Sequence, residues 1–420
     1  MSTAAPHTEK REQGIQTFRA LRHRNFRMLW LSLTVSAVGT WMQIVALSLL
    51  VLKLTHGSAI ALGELSLTQA LAFLLSAPIA GGIADRFDKR RLLIVTQSLL
   101  MLLALLLGFA TYSGAIQFWM VLAIAFLAAT ILSVDQPARF VLLPSLVPAE
   151  DLMNALSLQA AVFNGAAMVG PAVAGLMINW IGLAGDFFLN GASFVAVLIA
   201  LMRLRPRSGG SATETRRGSL IASVAEAIRS VRNDAALPAI LIAYGLVLFC
   251  GPSPALLLPV FATRILRIDP TGLGLLFSAL GAGTIVGALL AATIGDRIRK
   301  GYLLWAGYLA WSIALAGFAI SRDQLAAMAA LGFVGIAQSL LSATTITLMQ
   351  THVPAPMRGR VMSLNTMLLM GVRPLGDFPA SAAISLIGVR STALLAAGIV
   401  GVGALYVLRP SDRTAVITVV

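Results

Sequence analysis

Cysteine, histidine and charge are all scarce in this chain. Cys250 is the sole cysteine in 420 residues, so no disulfide can form within the chain, and its apolar surroundings mark a packed thiol inside a helix. His7, His23, His56 and His352 are the only imidazoles, and their scatter lacks the spacing of metal ligands, so no metal site is expected. Charged residues make up 11% of the chain, against roughly a quarter in an ordinary soluble protein. No G-x-x-x-x-G-K-[S/T] loop occurs, which excludes ATP as the energy source. No Ser/His/Asp or paired-carboxylate constellation is present either, so an enzyme is not expected. The net charge of +14 invites a nucleic-acid reading. The basic residues interrupt apolar runs instead of forming a polar domain, and the aromatics are mostly isolated, so no nucleic-acid partner is expected.

What is abundant is hydrocarbon, at 58% of residues. Apolar runs of spanning length read at Phe26–Leu52, Ala59–Ala80, Leu92–Tyr112, Phe118–Val134, Leu152–Trp180 and Phe187–Leu204. The second half gives Leu237–Ala262, Gly272–Ile294, Tyr302–Ile320, Leu325–Met349, Val361–Ile387 and Thr392–Leu408. Each is near or above the ~20 residues that cross a bilayer core. The first run exceeds the roughly 7–15 residue core of a cleavable signal peptide and reads as a retained signal-anchor. Gly and Ser recur within the runs and allow close helix approach in a medium that supplies no hydrophobic drive between helices.

Sidedness follows from Lys and Arg. With both termini inside, only Lys53, Arg264, Arg267, Arg322 and Arg390 fall on the outer face, Arg373 lies within a span, and the remaining basic residues fall on the cytoplasmic face. The expected organisation is an all-α membrane protein of twelve spans, N-in and C-in. Residues 1–205 and 237–420 form two six-helix bundles, joined by a cytoplasmic linker over 206–236. Pro206 to Ser211 reads as flexible chain, and Ser219–Asn233 carries an apolar stripe at helical spacing that suits an amphipathic helix on the membrane surface.

The halves repeat one another. Gly81-Gly82-Ile83-Ala84-Asp85-Arg86-Phe87-Asp88-Lys89-Arg90-Arg91 packs its charges into a turn between two apolar runs, so it must lie at a membrane face. A worn copy, Ala292-Thr293-Ile294-Gly295-Asp296-Arg297-Ile298-Arg299-Lys300, returns half a chain later. Val147-Pro148-Ala149 recurs as Val353-Pro354-Ala355, and Gly165 and Gly170 fall on Gly371 and Gly376. An even number of spans separates the copies, so the repeat is parallel, about an axis along the membrane normal.

With these motifs the chain resembles the major facilitator superfamily over nearly its whole length. The first loop is similar to the superfamily's G-x-x-x-D-R-x-G-R-R signature at Gly81, Asp85, Arg86, Lys89 and Arg90, with Asp88 in place of the usual glycine. Asp296 and Arg297 hold the matching positions of the weaker copy. Asp135-Gln136-Pro137-Ala138-Arg139, Leu143-Pro144-Ser145-Leu146-Val147-Pro148 and Asn154-Ala155-Leu156 resemble the branch of enterobactin exporters and macrolide-efflux, drug:proton antiporter-type carriers. Gly165, Gly170-Pro171 and Ala174-Gly175 resemble the antiporter motif of the fifth span, with Ala-Gly for its final double glycine.

Several residues carry candidate chemistry. Asp85 and Arg86, with Asp296 and Arg297, can pair across the halves and hold the cytoplasmic face shut; the plainer alternative is a cluster that only fixes orientation. Gly165, Gly170, Pro171 and Gly175 suit a hinge or leak-tight packing, or ordinary small-residue contact. Glu64, one turn into the second span, is a proton-coupling candidate, or a carboxylate solvated at the outer mouth. Arg373 and Asp377 share a helix face at i,i+4, so they can form a structural bridge or a pair for which substrate or proton competes. Asp135 and Arg139 have the same spacing and are inner-gate candidates. Trp41 and Gln43 are cavity candidates, although buried amides more often bond between helices.

The resemblance implies a secondary transporter of the bacterial inner membrane, acting as a monomer with no cofactor and driven by an ion gradient, protons first. The expected cargo is a hydrophobic or amphiphilic small molecule, exported by alternating access. An importer or lysophospholipid flippase of the same fold, and a receptor or scaffold that transports nothing, are the alternatives.

Overall fold

A computed structural model describes residues 18–204, 237–295, 297–353, 361–362, 365 and 368–407, and gives only the backbone course of 77–79, 81–82, 84–86, 370, 406 and 407. The linker with the amphipathic helix expected in it, the side chains of Asp85 and Arg86, and Asp296 therefore lie outside the described residues.

The described elements are helical. The first bundle holds α1 (Arg24–Leu54), α2 (Ala59–Arg86), α3 (Lys89–Tyr112), α4 (Phe118–Leu142) and α5 (Leu152–Arg203). The second holds α6 (Leu237–Cys250), α7 (Pro254–Phe261), α8 (Pro270–Ile294), α9 (Lys300–Ile320), α10 (Gln324–Thr351), α11 (Arg373–Ile387) and α12 (Val389–Val407). Among the described residues nine stretches are long and apolar enough to cross a membrane. One of these, Ala149–Arg203, contains two crossings, and Val389–Leu405 with the helix ending at Ile387 completes twelve.

Within the first bundle α1 lies along α5, and α3 packs on both α4 and α5. In the second, α8 and α9 pack on α10, and α12 covers α9. Two long pairs join the bundles, α5 with α8 and α2 with α11, while α1 meets α7.

Local sequence explains the joints. Asp88, standing where the family signature has glycine, is the N-cap of α3: at φ −57° its Oδ1 accepts the Arg91 N–H at 2.9 Å. The outer turns are very tight. Every described positive-φ residue (His56, Gly57, Gly114, Gly182, Arg267 and Gly388) sits in one of them.

Two expected spans are corrected. The sixth does not begin at Phe187. Gly182, at φ 70°, reverses the chain in a single residue, so the helix resumes at once and takes in Asp186. The seventh is not continuous over Leu237–Ala262. Gly251 and Pro252 interrupt it, and Ser253 caps α7 by accepting from the Leu256 N–H.

Candidate functional site at the seam between the bundles

The bundles touch through glycine. A Cβ on Gly175 of α5 would lie 2.5 Å from the Pro270 carbonyl oxygen, and one on Gly274 of α8 would collide with the carbonyl of Pro171. A Cβ on Gly281 would lie 2.8 Å from the Met168 Cα. On the other pair, a Cβ on Gly63 of α2 would strike Ser381 of α11. All four glycines lie in the outer halves of their helices. Gly170 faces inward to its own bundle, against Trp41 and Val38 of α1, and Gly165 has nothing within 4 Å of its would-be Cβ.

Hydrogen bonds repeat that placement. The Asn179 amide donates to Asp269 Oδ2 at 2.8 Å and to Thr271 Oγ1 at 2.7 Å. Arg264 donates to the Gly57 carbonyl at 2.6 Å, and Ser48 to that of Ala255 at 3.3 Å. Thr271 donates to the Gly175 carbonyl at 3.3 Å. Among the described residues, these bonds between the bundles cluster toward the outer ends. The Gly272 N–H, with help from Asn179 and Thr271, holds the Asp269 carboxyl below the usual carboxylate range.

Burial follows the same gradient. Val45 to Leu52 of α1 are almost all buried, whereas Leu31 and Val35, nearer the cytoplasm, are 53% exposed. Gly272 to Gly274 of α8 are buried, and Val286, Leu289 and Leu290 are exposed. Among the described residues, the backbone-close approaches between the bundles concentrate toward the outer ends.

The sequence candidates divide on inspection. Trp41 packs edge-on to Phe163, their centroids 5.8 Å apart, where α1 meets α5. Gln43 does not stand free as a cavity residue; its Oε1 accepts from Asn190 of α5, a buried amide pair between helices. Asp135 is fully buried and receives Thr96 Oγ1 at 2.7 Å, Gln97 Nε2 at 2.8 Å and Arg139 Nη2 at 2.6 Å, all within one bundle. Arg90 caps the end of α5, donating to the Leu201 and Met202 carbonyls at 2.7 and 2.5 Å. Lys89 donates to the Phe87 carbonyl at 3.2 Å, and Arg297 is exposed. Glu64 is half-buried beside Gly63.

Arg373 and Asp377 do not form the bridge their spacing allows; no ion pair within 4.0 Å joins them. Asp377 instead accepts the Ser253 N–H at 2.8 Å, the backbone donor released by the break between α6 and α7. Ser66 of α2 approaches the same carboxyl.

Two features escaped the sequence. Asn179 joins the bundles, but in the linear chain it is one amide near the end of the Leu152–Trp180 run, with nothing to mark its partners 90 and 92 residues on. Asp186 was placed outside any span, yet it is fully buried and neither carboxyl oxygen has a partner among the described residues. The signal that could have found it is Gly182, four residues earlier, as a one-residue turn.

Twelve spans in two parallel bundles that meet along a glycine seam define a membrane transporter of the major facilitator class. Residues 15–412 match the family described as transmembrane secretion effector, and the chain belongs to it. It is 27% identical over 381 residues to the multidrug efflux pump Tap of Mycolicibacterium fortuitum, covering 87% of this chain and 90% of that protein. It is 22% identical over 374 residues to macrolide efflux protein A of Streptococcus pyogenes, covering 88% and 92%. In fold it is similar to a bacterial homologue of the human lysosomal transporter Spinster in an inward-facing, unoccupied conformation, with TM-score 0.74, 15% identity, and 94% and 98% coverage. A D-xylose–proton symporter aligns with TM-score 0.72 at 12% identity, covering 93% of this chain and 99% of that one.

Proposed function

We propose that this transporter exports a hydrophobic or amphiphilic small molecule across the bacterial inner membrane, in exchange for protons. The observation that carries the reading is the seam itself: backbone-close glycines draw the bundles together toward the outside, as a carrier that loads its cargo from the cytoplasm requires. The efflux names of the relatives support the direction.

In this scheme the two bundles rock about the midplane. The outer glycine contacts part as the inner halves close, and Asp85 and Arg86 meet the opposite bundle when the cytoplasmic face shuts. Asp135 and Arg139 stiffen the first bundle as it moves. Glu64 and Asp377 stand beside the α2–α11 contact, so a proton bound at either would bias the seam. The cargo gains nothing from ATP; an ion gradient supplies the work.

Accumulation of ethidium in cells with and without the protein tests the reading. Expressing cells should hold less dye, and a protonophore should abolish the difference. Raised accumulation would indicate import, and efflux that ignores the protonophore would remove protons as the driving ion. Asp85→Asn should raise labelling of inner-half cysteines, because it weakens the closed cytoplasmic face; unchanged labelling would remove the gating role from that loop.

A further inference from the structure

Four carboxyl groups are buried among the described residues, and Asp186 is the one that nothing holds. Asp135 accepts from Thr96, Gln97 and Arg139, Asp151 pairs with Arg19 and His23, and Asp377 accepts the Ser253 N–H. Asp186 is fully enclosed, and both its oxygens lack a hydrogen-bond partner among the described residues. It lies four residues after the Gly182 turn, about 6 Å from the outer end at 1.5 Å rise per residue.

Its surroundings supply no counter-charge. Asp186, Asn190 and Ser193 share a helix face at i, i+4 and i+7. That face looks onto α1: Asn190 bonds to Gln43, and a Cβ on Gly39 would meet both Asn190 and Ser193. One turn further out, Asp186 stands level with the stretch of α1 from Val45 to Leu52, which is almost wholly buried and apolar. Ser48, its polar member, gives its hydroxyl to the Ile44 and Ala255 carbonyls. Of the long elements packed on α5, α1 carries Arg24, Arg27 and Lys53, α3 carries Lys89, Arg90, Arg91 and Tyr112, and α8 carries nothing titratable beyond its N-cap Asp269. The short turns at the inner end add Arg19, Arg22, His23, Glu150 and Asp151, and α5 itself ends at Arg203. Of all these, Lys53, Tyr112 and Asp269 stand near the outer end, and all three are exposed.

A bare carboxylate is too costly to enclose in this way, whereas the neutral acid is tolerated. The enclosing wall is also a moving part of the proposed cycle. α1 faces Asp186 on one side and meets α7 of the second bundle through Ser48. The Asn179 bonds to Asp269 and Thr271 lie just beyond the Gly182 turn. Parting the outer ends therefore disturbs both covers of Asp186. We propose that Asp186 binds a proton taken from the outer side, and that its occupancy favours the closed outer ends. The proton adds to a carboxylate oxygen and converts the anion to the neutral acid, so proton binding and outer closure favour one another. This rests on the proton-exchange reading and deepens it by naming where the proton is taken up, away from Glu64 and Asp377.

The test uses the full chain in lipid nanodiscs. Infrared difference spectra, wild type minus Asp186→Asn, should show the carbonyl stretch of a neutral carboxylic acid at neutral pH. Outer maleimide labelling of Ser48→Cys, in a Cys250→Ser background, is then compared with and without Asp186→Asn, so that the thiol's own pH response cancels. The ratio of the rates should be close to unity below neutrality and rise several-fold toward alkaline pH, as the wild-type acid ionises and the outer ends part. Asp186→Glu, which keeps an acid, should restore the rise. A spectrum without the acid band, or a ratio that stays at unity, overturns the proposal. Asp186→Asn should melt no lower than wild type; a lower melting temperature would reveal a partner that holds the carboxylate, and overturns it too. Proteoliposomes under a pH gradient separate the two readings. Ethidium efflux that the gradient drives equally in wild type and Asp186→Asn leaves proton exchange standing and this site refuted. Wild-type efflux that ignores the gradient, with band and labelling as expected, refutes proton exchange and keeps the site.

Discussion

Near the outer face, polar groups tie one bundle to the other: Asn179 to Asp269 and Thr271, Arg264 to Gly57, Ser48 to Ala255. Near the cytoplasmic face, the polar groups knit the first bundle to itself. Asp135 gathers Thr96, Gln97 and Arg139, Arg90 caps α5, and Asp151 receives Arg19 and His23, each at 2.7 Å. The difference assigns separate work to the two ends. In the proposed cycle the outer contacts break, and they are small-residue approaches and hydrogen bonds, each weak alone. In the same cycle the inner contacts hold the first bundle rigid, a purpose that charge clusters serve.

Breaking the inner cluster should have the largest energetic effect. Asp135→Ala leaves the buried Thr96 hydroxyl and Gln97 amide without their acceptor, an expected loss of about 1–3 kcal/mol for each orphaned donor that would appear as a marked drop in thermal stability in detergent. Labelling of Ser48→Cys, in a Cys250→Ser background, should hardly change, since Asp135 bonds within one bundle. By contrast, Asp186→Asn removes no hydrogen bond, so its thermal stability should hold or rise; a collapse like that of Asp135→Ala would show that an unseen partner satisfies Asp186.

Gly274→Leu should come next and act on the seam. The new side chain cannot fit against Pro171, an overpacking cost of about 1–3 kcal/mol. Maleimide labelling of Ser48→Cys from outside should then rise several-fold, and dye efflux should fall. Unaltered labelling would mean that the α5–α8 approach does not control the outer face.

Asp377→Ala should cost about 1–3 kcal/mol by leaving the Ser253 N–H without an acceptor, whereas Asp377→Asn keeps the acceptor and should cost less. Equal losses in melting experiments would argue against the capping role.

The smallest effect concerns Asp269. Its folded carboxyl titrates below the ordinary range, so its contribution is complete above the unfolded pKa and is lost as pH falls through the lowered one. Outer labelling of Ser48→Cys should therefore be flat from neutral pH down to about pH 4 and rise only below that. A rise centred near neutrality would exclude Asp269 as its source.

Much of the architecture was legible in the linear chain because a bilayer imposes strong rules. Apolar length gave the spans, basic residues gave their sidedness, and repeated motifs gave the parallel duplication. The boundaries that failed did so at residues with local backbone effects. Asp186 looked like a polar loop residue because nothing before tertiary folding says that Gly182 alone turns the chain. Pro252 was in view, but its consequence for Asp377 was not, since the freed Ser253 N–H lies 124 positions away in sequence. The i,i+4 spacing of Asp135–Arg139 did become an ion pair, while the same spacing at Arg373–Asp377 did not. Spacing supplies the opportunity, and competing donors decide whether it is taken.

The sequence by itself determined that this chain crosses lipid twelve times as a duplicated bundle, because hydropathy and charge act residue by residue against a uniform solvent. Only the tertiary structure decided where the bundles approach most closely and which buried charges are satisfied. Those outcomes depend on distances of a few ångströms between helices remote in sequence, where one glycine or one released backbone N–H selects the partner.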